Sequence, residues 1–199
     1  MNELISALRR FIMRDLTYLI GGGSLVASVL YTLDRLPKPG ADLTLYLLIA
    51  GISYVVGYAL QDSFGLLHIV PTTAPRALNP YCQSLYRCYV REAWTDIPVG
   101  MSFERAEERL SDERQMAWLE RITSLQQVGT TVGPCWLTSS VFLGARWWLK
   151  GGDGFGLVLP LCGGLMGLIL VHLAWIKAAQ QAQYLSRHAG QAVSNREDR

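Results

Sequence analysis

An all-α membrane protein, with four transmembrane helices and a helical cytoplasmic region between spans 2 and 3, is predicted by three features of the sequence. Only 17% of its 199 residues are charged, while half are hydrophobic; ordinary soluble domains are roughly 25% charged. The apolar residues are gathered rather than dispersed. Leu16–Leu33, Leu43–Gln61, Ile122–Ala145 and Gly154–Val171 each lack Asp, Glu, Lys, Arg and His, over 18 residues or more. A helix rising ~1.5 Å per residue needs ~20 residues to cross a hydrocarbon core of ~30 Å. The third feature is the placement of basic residues. The chain start, the segment between the second and third runs, and the tail carry 14 Lys and Arg; the two short connections carry only Arg35, Lys38, Arg146 and Lys150. Because cytoplasmic loops are enriched in Lys and Arg, the bias predicts a multi-pass membrane protein with both termini in the cytoplasm.

The elements follow in order. Arg9, Arg10 and Arg14 precede the first run, and Gly21–Gly23 interrupt it, a pattern shared with cleavable signals. A secretory apolar segment spans only ~7–15 residues; this one continues to Leu33 and is expected to remain as a span. Residues 1–61 then form an N-terminal cytoplasmic segment and a first transmembrane hairpin, turning at Asp34–Asp42 through Pro37, Pro39 and Gly40. Residues 62–121 form the cytoplasmic helical region. Pro71, Pro75 and Pro80 punctuate its beginning. Asn79 then caps a helix ending near Thr95, with Tyr81, Leu85 and Tyr89 at helical spacing. Ser102 caps a second helix whose Glu104, Glu107 and Glu108 suit the positive end of its dipole. No Pro or Gly falls between Phe103 and Val128, so this helix is expected to rise unbroken into the third span. Residues 122–190 form the second hairpin with a helical cytoplasmic extension, and the polar residues 191–199 read as a disordered tail.

The turn of the second hairpin lies in LKGGDGFG, residues 149–156. A phosphate-binding loop places its Lys-Ser/Thr pair after the glycines; here the lysine precedes them, and the glycines serve a turn.

Small residues recur at four-residue spacing: Ser53 with Gly57, Gly129 with Gly133, Ser140 with Gly144, and Gly163 with Gly167. In lipid the water-driven hydrophobic effect cannot hold helices together, and small residues permit close backbone approach. The partner helices belong either to the same subunit or to another. The third run is unusually polar. Gln127, Thr131, Thr138 and Ser139, with Pro134, fall on one side of the helix. They either line a hydrated path between subunits or hydrogen-bond to neighbouring helices. Pro134 is expected to bend or loosen this helix.

Candidates for partner or ligand contacts lie in LYRCYVREAW, at Tyr86, Arg87, Tyr89, Arg91 and Trp94; the alternative is the ordinary aromatic belt beside a membrane. A nucleic-acid partner is disfavoured, since residues 62–121 hold 7 Arg against 9 Asp and Glu. Asp62, His68 and His172 are all expected near the cytoplasmic surface and are conceivable as a proton or metal site. No metal or cofactor is predicted: Cys82 and Cys88 have no nearby histidine to complete a ligand set. No G-x-S-x-G or H-E-x-x-H motif occurs, so an enzyme is not expected.

RDLTYLIGGGSL at the head of the first run, YVVGYAL in the second and the charged helix leading into the third resemble small four-span inner-membrane proteins of bacterial anti-phage (Kiwa-like) or CRISPR-associated loci. The resemblance lies in topology more than in residues and brings no site residue with it. It implies a homo-oligomeric inner-membrane component that senses envelope disturbance or perturbs the membrane under a cytoplasmic partner's control. The first functional expectation is therefore a homo-oligomeric channel or membrane-perturbing effector in anti-phage defence. The second is a non-conducting membrane sensor or anchor that recruits a soluble protein through residues 79–121. The third is an enzyme at the membrane surface, working through Asp62, His68 or His172.

Overall fold

The computed structural model of the chain describes residues 2–37, 40, 42–67, 69–71, 113–151 and 154–197. These form four α-helices, α1 (Asn2–Thr32), α2 (Leu43–Leu66), α3 (Glu113–Lys150) and α4 (Val158–Glu197), with a 3-10 turn at Gly154–Leu157 before α4. The all-α expectation is met among the described residues.

Local chemistry accounts for the helix ends. At the end of α1, Asp34 N–H bonds to the Tyr31 carbonyl at 3.2 Å and Arg35 N–H to the Leu30 carbonyl at 2.8 Å, with Asp34 at φ 55°. This is the double hydrogen bond that closes a helix around a left-handed residue, a place usually held by glycine. Asp42 caps α2 from an extended conformation, its carboxylate accepting from Thr44 N–H at 3.4 Å. Gly151, at φ 62°, ends α3, as the glycine-rich turn required. Pro134 lies within α3, which continues unbroken to Lys150.

The helices lie side by side in the order α2, α1, α3, α4, with the closest packing between α3 and α4. Neighbour registers give the directions. Gly21 lies against Thr131, Val132 and Cys135, and the Thr32 hydroxyl reaches the Phe142 carbonyl at 3.3 Å; α1 and α3 are therefore parallel. Within each hairpin the helices are antiparallel: Gly22 meets Ser53 where Tyr18 meets Gly57, and Gly129 meets Ala174 where Gly133 meets Gly167. Both short connections thus lie at one end of the layer, the turn end. The other end, the terminal end, holds the end of α2 and the start of the described part of α3.

The hairpins are held by near contact of backbones. A Cβ placed on Gly22 would fall 1.7 Å from the Ser53 carbonyl oxygen, and one on Gly57 2.4 Å from that of Tyr18. In the second hairpin, a Cβ on Gly129 would fall 2.4 Å from the Leu170 oxygen, and one on Gly167 3.0 Å from the Gly133 oxygen. Near the terminal end, α3 and α4 bury Leu119, Ile122, Ala174, Ala178 and Ala179 between them.

Two findings refine the sequence reading. Among the described residues only α2 and α4 are long and apolar enough to qualify as candidate membrane spans. The charge-free runs in α1 and α3 contain three glycines each and many hydroxyls and amides, Ser24, Ser28, Gln126, Gln127, Thr130 and Thr131 among them; lacking charge is a weaker property than being apolar. At the other end of the chain, α4 extends to Glu197, through residues 191–197 that composition assigned to a disordered tail. Extending an existing helix adds one hydrogen bond per residue without a new nucleus, and no proline interrupts 161–197.

Candidate functional site at the two polar ends of the layer

Near the terminal end, three helices contribute polar side chains to one cluster. Asp15 of α1 accepts a hydrogen bond from the Tyr54 hydroxyl of α2 at 3.1 Å and lies 3.5 Å from the Arg14 guanidinium. Tyr18 is buried, packs edge-on to Tyr54 and Tyr58 with ring centres 5.5 and 5.6 Å away, and lies beside Gln127 of α3. Thr131, fully buried, donates to the Gln61 side-chain oxygen of α2 at 2.7 Å. Beyond α2 the chain folds back across α3 and α4. Gln126 donates to the Pro71 carbonyl at 3.3 Å, and the Trp175 indole of α4 donates to that of Ile69 at 2.8 Å, with Val70 buried between. The Gln126 side-chain oxygen is buried without a hydrogen-bond partner. A further link, Gln181 to Thr123 at 3.1 Å, joins α4 to α3.

At the turn end the cluster is ionic. Arg146 of α3 bonds to the Asp34 carboxylate at 2.7 Å and to the Thr32 carbonyl at 3.2 Å, also donates to the Tyr31 carbonyl, and lies 4.0 Å over the Tyr31 ring. Lys150 holds the second Asp34 oxygen. Hydrogen bonds from Lys150 and then from Arg146 keep the Asp34 carboxyl below the usual carboxylate range, and Asp34 in turn raises the Arg146 guanidinium. One arginine thereby serves the last carbonyls of α1, where a positive charge also favours the helix dipole, and the carboxylate beyond them.

The residues singled out in the sequence fall as follows. Gln127 and Thr131 take part in the terminal-end cluster; Thr138 bonds within its own helix, to the Pro134 carbonyl at 2.9 Å; Ser139 is buried with its hydroxyl unpartnered. Ser53 and Gly57 pack on α1, Gly129, Gly133 and Ser140 on α4, Gly163 and Gly167 on α3, and Gly144 comes near Pro160. Each of these small-residue faces meets a helix of the same chain. Asp62 and His172 are exposed. His68 and the group Tyr86, Arg87, Tyr89, Arg91 and Trp94 lie outside the described residues. Among the described residues no three His, Cys, Asp or Glu gather as a metal site.

Sequence reasoning missed Gly22, whose contact is the closest in the first hairpin, and Gln61, Asp15 and the Arg146–Asp34–Lys150 clamp. Arg146 did carry a signal, as the charge that interrupts an apolar run, but its partner is 112 residues away. The chain matches no known family profile, and comparison with curated proteins and with solved structures gives no significant match.

Proposed function

We propose that this chain is a four-span protein of a bacterial inner membrane, with both termini cytoplasmic, acting as a non-conducting anchor or sensor. A soluble partner is received by residues 79–121. The observation that carries the membrane reading is the inverted burial of its helices: the most apolar stretches of α2 and α4 are only 11% and 22% buried. The core helix of a water-soluble protein, equally apolar, would be mostly buried. Large side chains such as Leu47, Val55, Leu161 and Leu168, all about 60% exposed, suit a solvent of lipid tails. α1 and α3, which hold more polar residues, complete the four spans by packing those groups against each other and against α2 and α4.

The choice of anchor over channel rests on Thr131. A homo-oligomeric channel or membrane-perturbing effector needs the polar side of α3 to face another subunit, whereas Thr131 is fully buried and bonded to Gln61 of the same chain. The glycine faces are likewise occupied within the chain. Purified protein in liposomes tests both parts. Extraction should require detergent, and ion flux should not exceed that of empty vesicles. Flux that disappears in Thr131→Leu and Thr138→Leu would overturn the anchor in favour of the channel, and a chain soluble without detergent would overturn the membrane reading itself.

A further inference from the structure

The helix contacts of the molecule are not alike. Within each hairpin, backbone oxygens lie where a Cβ would collide, so neither helix can slide without separating. Between the hairpins no such collision is found at Gly21: a Cβ there would stand 3.2 Å from the Cys135 sulfur, 3.3 Å from the Thr131 carbonyl oxygen and 3.4 Å from the Val132 Cα, a tight fit but not an overlap. The polar groups of this α1–α3 contact also fail to cross. The α1 hydroxyls Thr17, Ser24 and Ser28 bond to carbonyls of their own helix at 2.6, 2.6 and 2.8 Å. On α3, Ser139, one turn beyond Cys135, is buried with no partner. Hydroxyls that bond back to their own helix contribute nothing to holding a neighbour. Direct bonds between the hairpins are found towards the two ends, from Thr131 to Gln61 and Gln126 to Pro71 at the terminal end, and from Thr32 and Arg146 at the turn end.

We propose that the α1–α3 seam is the moving joint of the molecule, along which the two hairpins part from the turn end while the terminal-end bonds of Thr131 to Gln61 and Gln126 to Pro71 act as the hinge, and that the Arg146–Asp34–Lys150 clamp holds the turn end shut. The inference stands whether the protein recruits a partner or conducts ions. Arg146 suits this role because it joins both hairpins at once, through two α1 carbonyls, the Tyr31 ring and Asp34. Asp34 sits in a left-handed conformation that few non-glycine residues adopt freely, and two cations fasten it there. Opening would expose Ser24, Ser28, Cys135 and Ser139 together, and would let the hydroxyls exchange their own-helix bonds for water or for each other.

Cys135, fully buried in the seam, reports on opening. In full-length protein with Cys82, Cys88 and Cys162 changed to Ser, alkylation of Cys135 by a small membrane-permeant maleimide should be slow. Arg146→Gln should raise its rate by about tenfold or more, as expected when a local opening equilibrium loses charge-assisted hydrogen bonds. The control is Ser140→Cys in a Cys135→Ser background, at a position lying against Gly163 and Gly164 inside the second hairpin; its rate should not respond to Arg146→Gln. No change at Cys135, or an equal rise at both positions, would overturn the joint. A second measurement avoids relying on one variant. In Gly21→Cys, oxidation should link residue 21 to Cys135, with a yield that falls once Arg146→Gln is added. An undiminished yield would show that the seam stays closed without the clamp.

Discussion

The edge helices α2 and α4 and the central helices α1 and α3 divide the chemistry of the chain in the reverse of the soluble pattern. The edge pair are the more apolar and leave much of their surface exposed, Val55 to 63% and Leu161 to 61%. The central pair contribute Thr17, Thr130, Thr131 and Ser139, which are buried. Water places polar groups outside and apolar groups inside. The reverse arrangement is what the proposed lipid surroundings favour, because in lipid a polar group gains most by finding a partner among its own helices. The difference also shows in the glycines. Gly22 has a backbone oxygen where a Cβ would be, while Gly51, on the outer side of α2, has nothing within 4 Å.

The largest effect is expected at the close approach. Gly22→Val forces α1 and α2 apart along the first hairpin and should cost at least the ~1–3 kcal/mol of ordinary overpacking, abolishing a monodisperse detergent-solubilised species. Gly51→Ala meets empty space and should be neutral or stabilise by up to ~1 kcal/mol through helix propensity. Thermal unfolding followed by circular dichroism reads both. Equal sensitivity at the two positions would erase the distinction between inner and outer faces.

Charge placed on an edge helix tests the solvent directly. Val55→Arg, near the middle of α2 and 63% exposed, should oppose insertion by ~2.5–3.5 kcal/mol. The fraction of chain recovered in washed membranes should fall accordingly. Were that surface in water, the substitution would change stability by only about 0.5 kcal/mol in either direction and leave recovery unchanged.

A smaller effect is expected inside the polar cluster. Thr131→Val removes the donor to Gln61 and leaves a half-buried amide oxygen short of a partner, whereas adding Gln61→Leu removes the orphan as well. The double-mutant cycle should give a coupling of ~0.6–2 kcal/mol, the range for hydrogen bonds between helices in membranes. Additive losses would mean that the bond does not hold α2 to α3.

How much of this was readable beforehand depends on the range of the interaction. The helices and their turns are local properties, so the charge-free runs, Pro37 and Gly40 in the first connection and Gly151 in the second anticipated them. Spacing between small residues also anticipated Gly57, Gly129 and Gly167 as contact points. It did not reveal Gly22, because its neighbour is a carbonyl oxygen of Ser53, and backbone atoms leave no mark in sequence. Nor did it reveal that α1 and α3 lie together. That adjacency brings residues over 100 positions apart into contact, as with Arg146 and Asp34, and residue types alone do not name such pairs. The polar face of α3 was readable as a face but not as to what it meets: Thr131 finds Gln61 across 70 residues.

The smallest predicted effect concerns acid. Asp34 is solvent-exposed, with 58% of its side chain accessible, so its pairing is screened and its contribution to stability is modest. Its carboxyl titrates below the ordinary value because Lys150, then Arg146, hydrogen-bond to the ionised form. The groups facing it are Arg146 and Lys150 of α3, with the Tyr31 ring against the guanidinium. A depressed folded-state value means that the ionised carboxylate stabilises the fold at any pH above its unfolded value of about 3.9. The stabilisation is lost as pH falls through the lower folded value. Native protein and Asp34→Asn should therefore differ in unfolding temperature by a constant amount from pH 7 to pH 5, and converge only in stronger acid. Convergence already between pH 7 and pH 5 would mean that some other group controls the turn end, and would remove the clamp from the comparison between the seam and the locked hairpins.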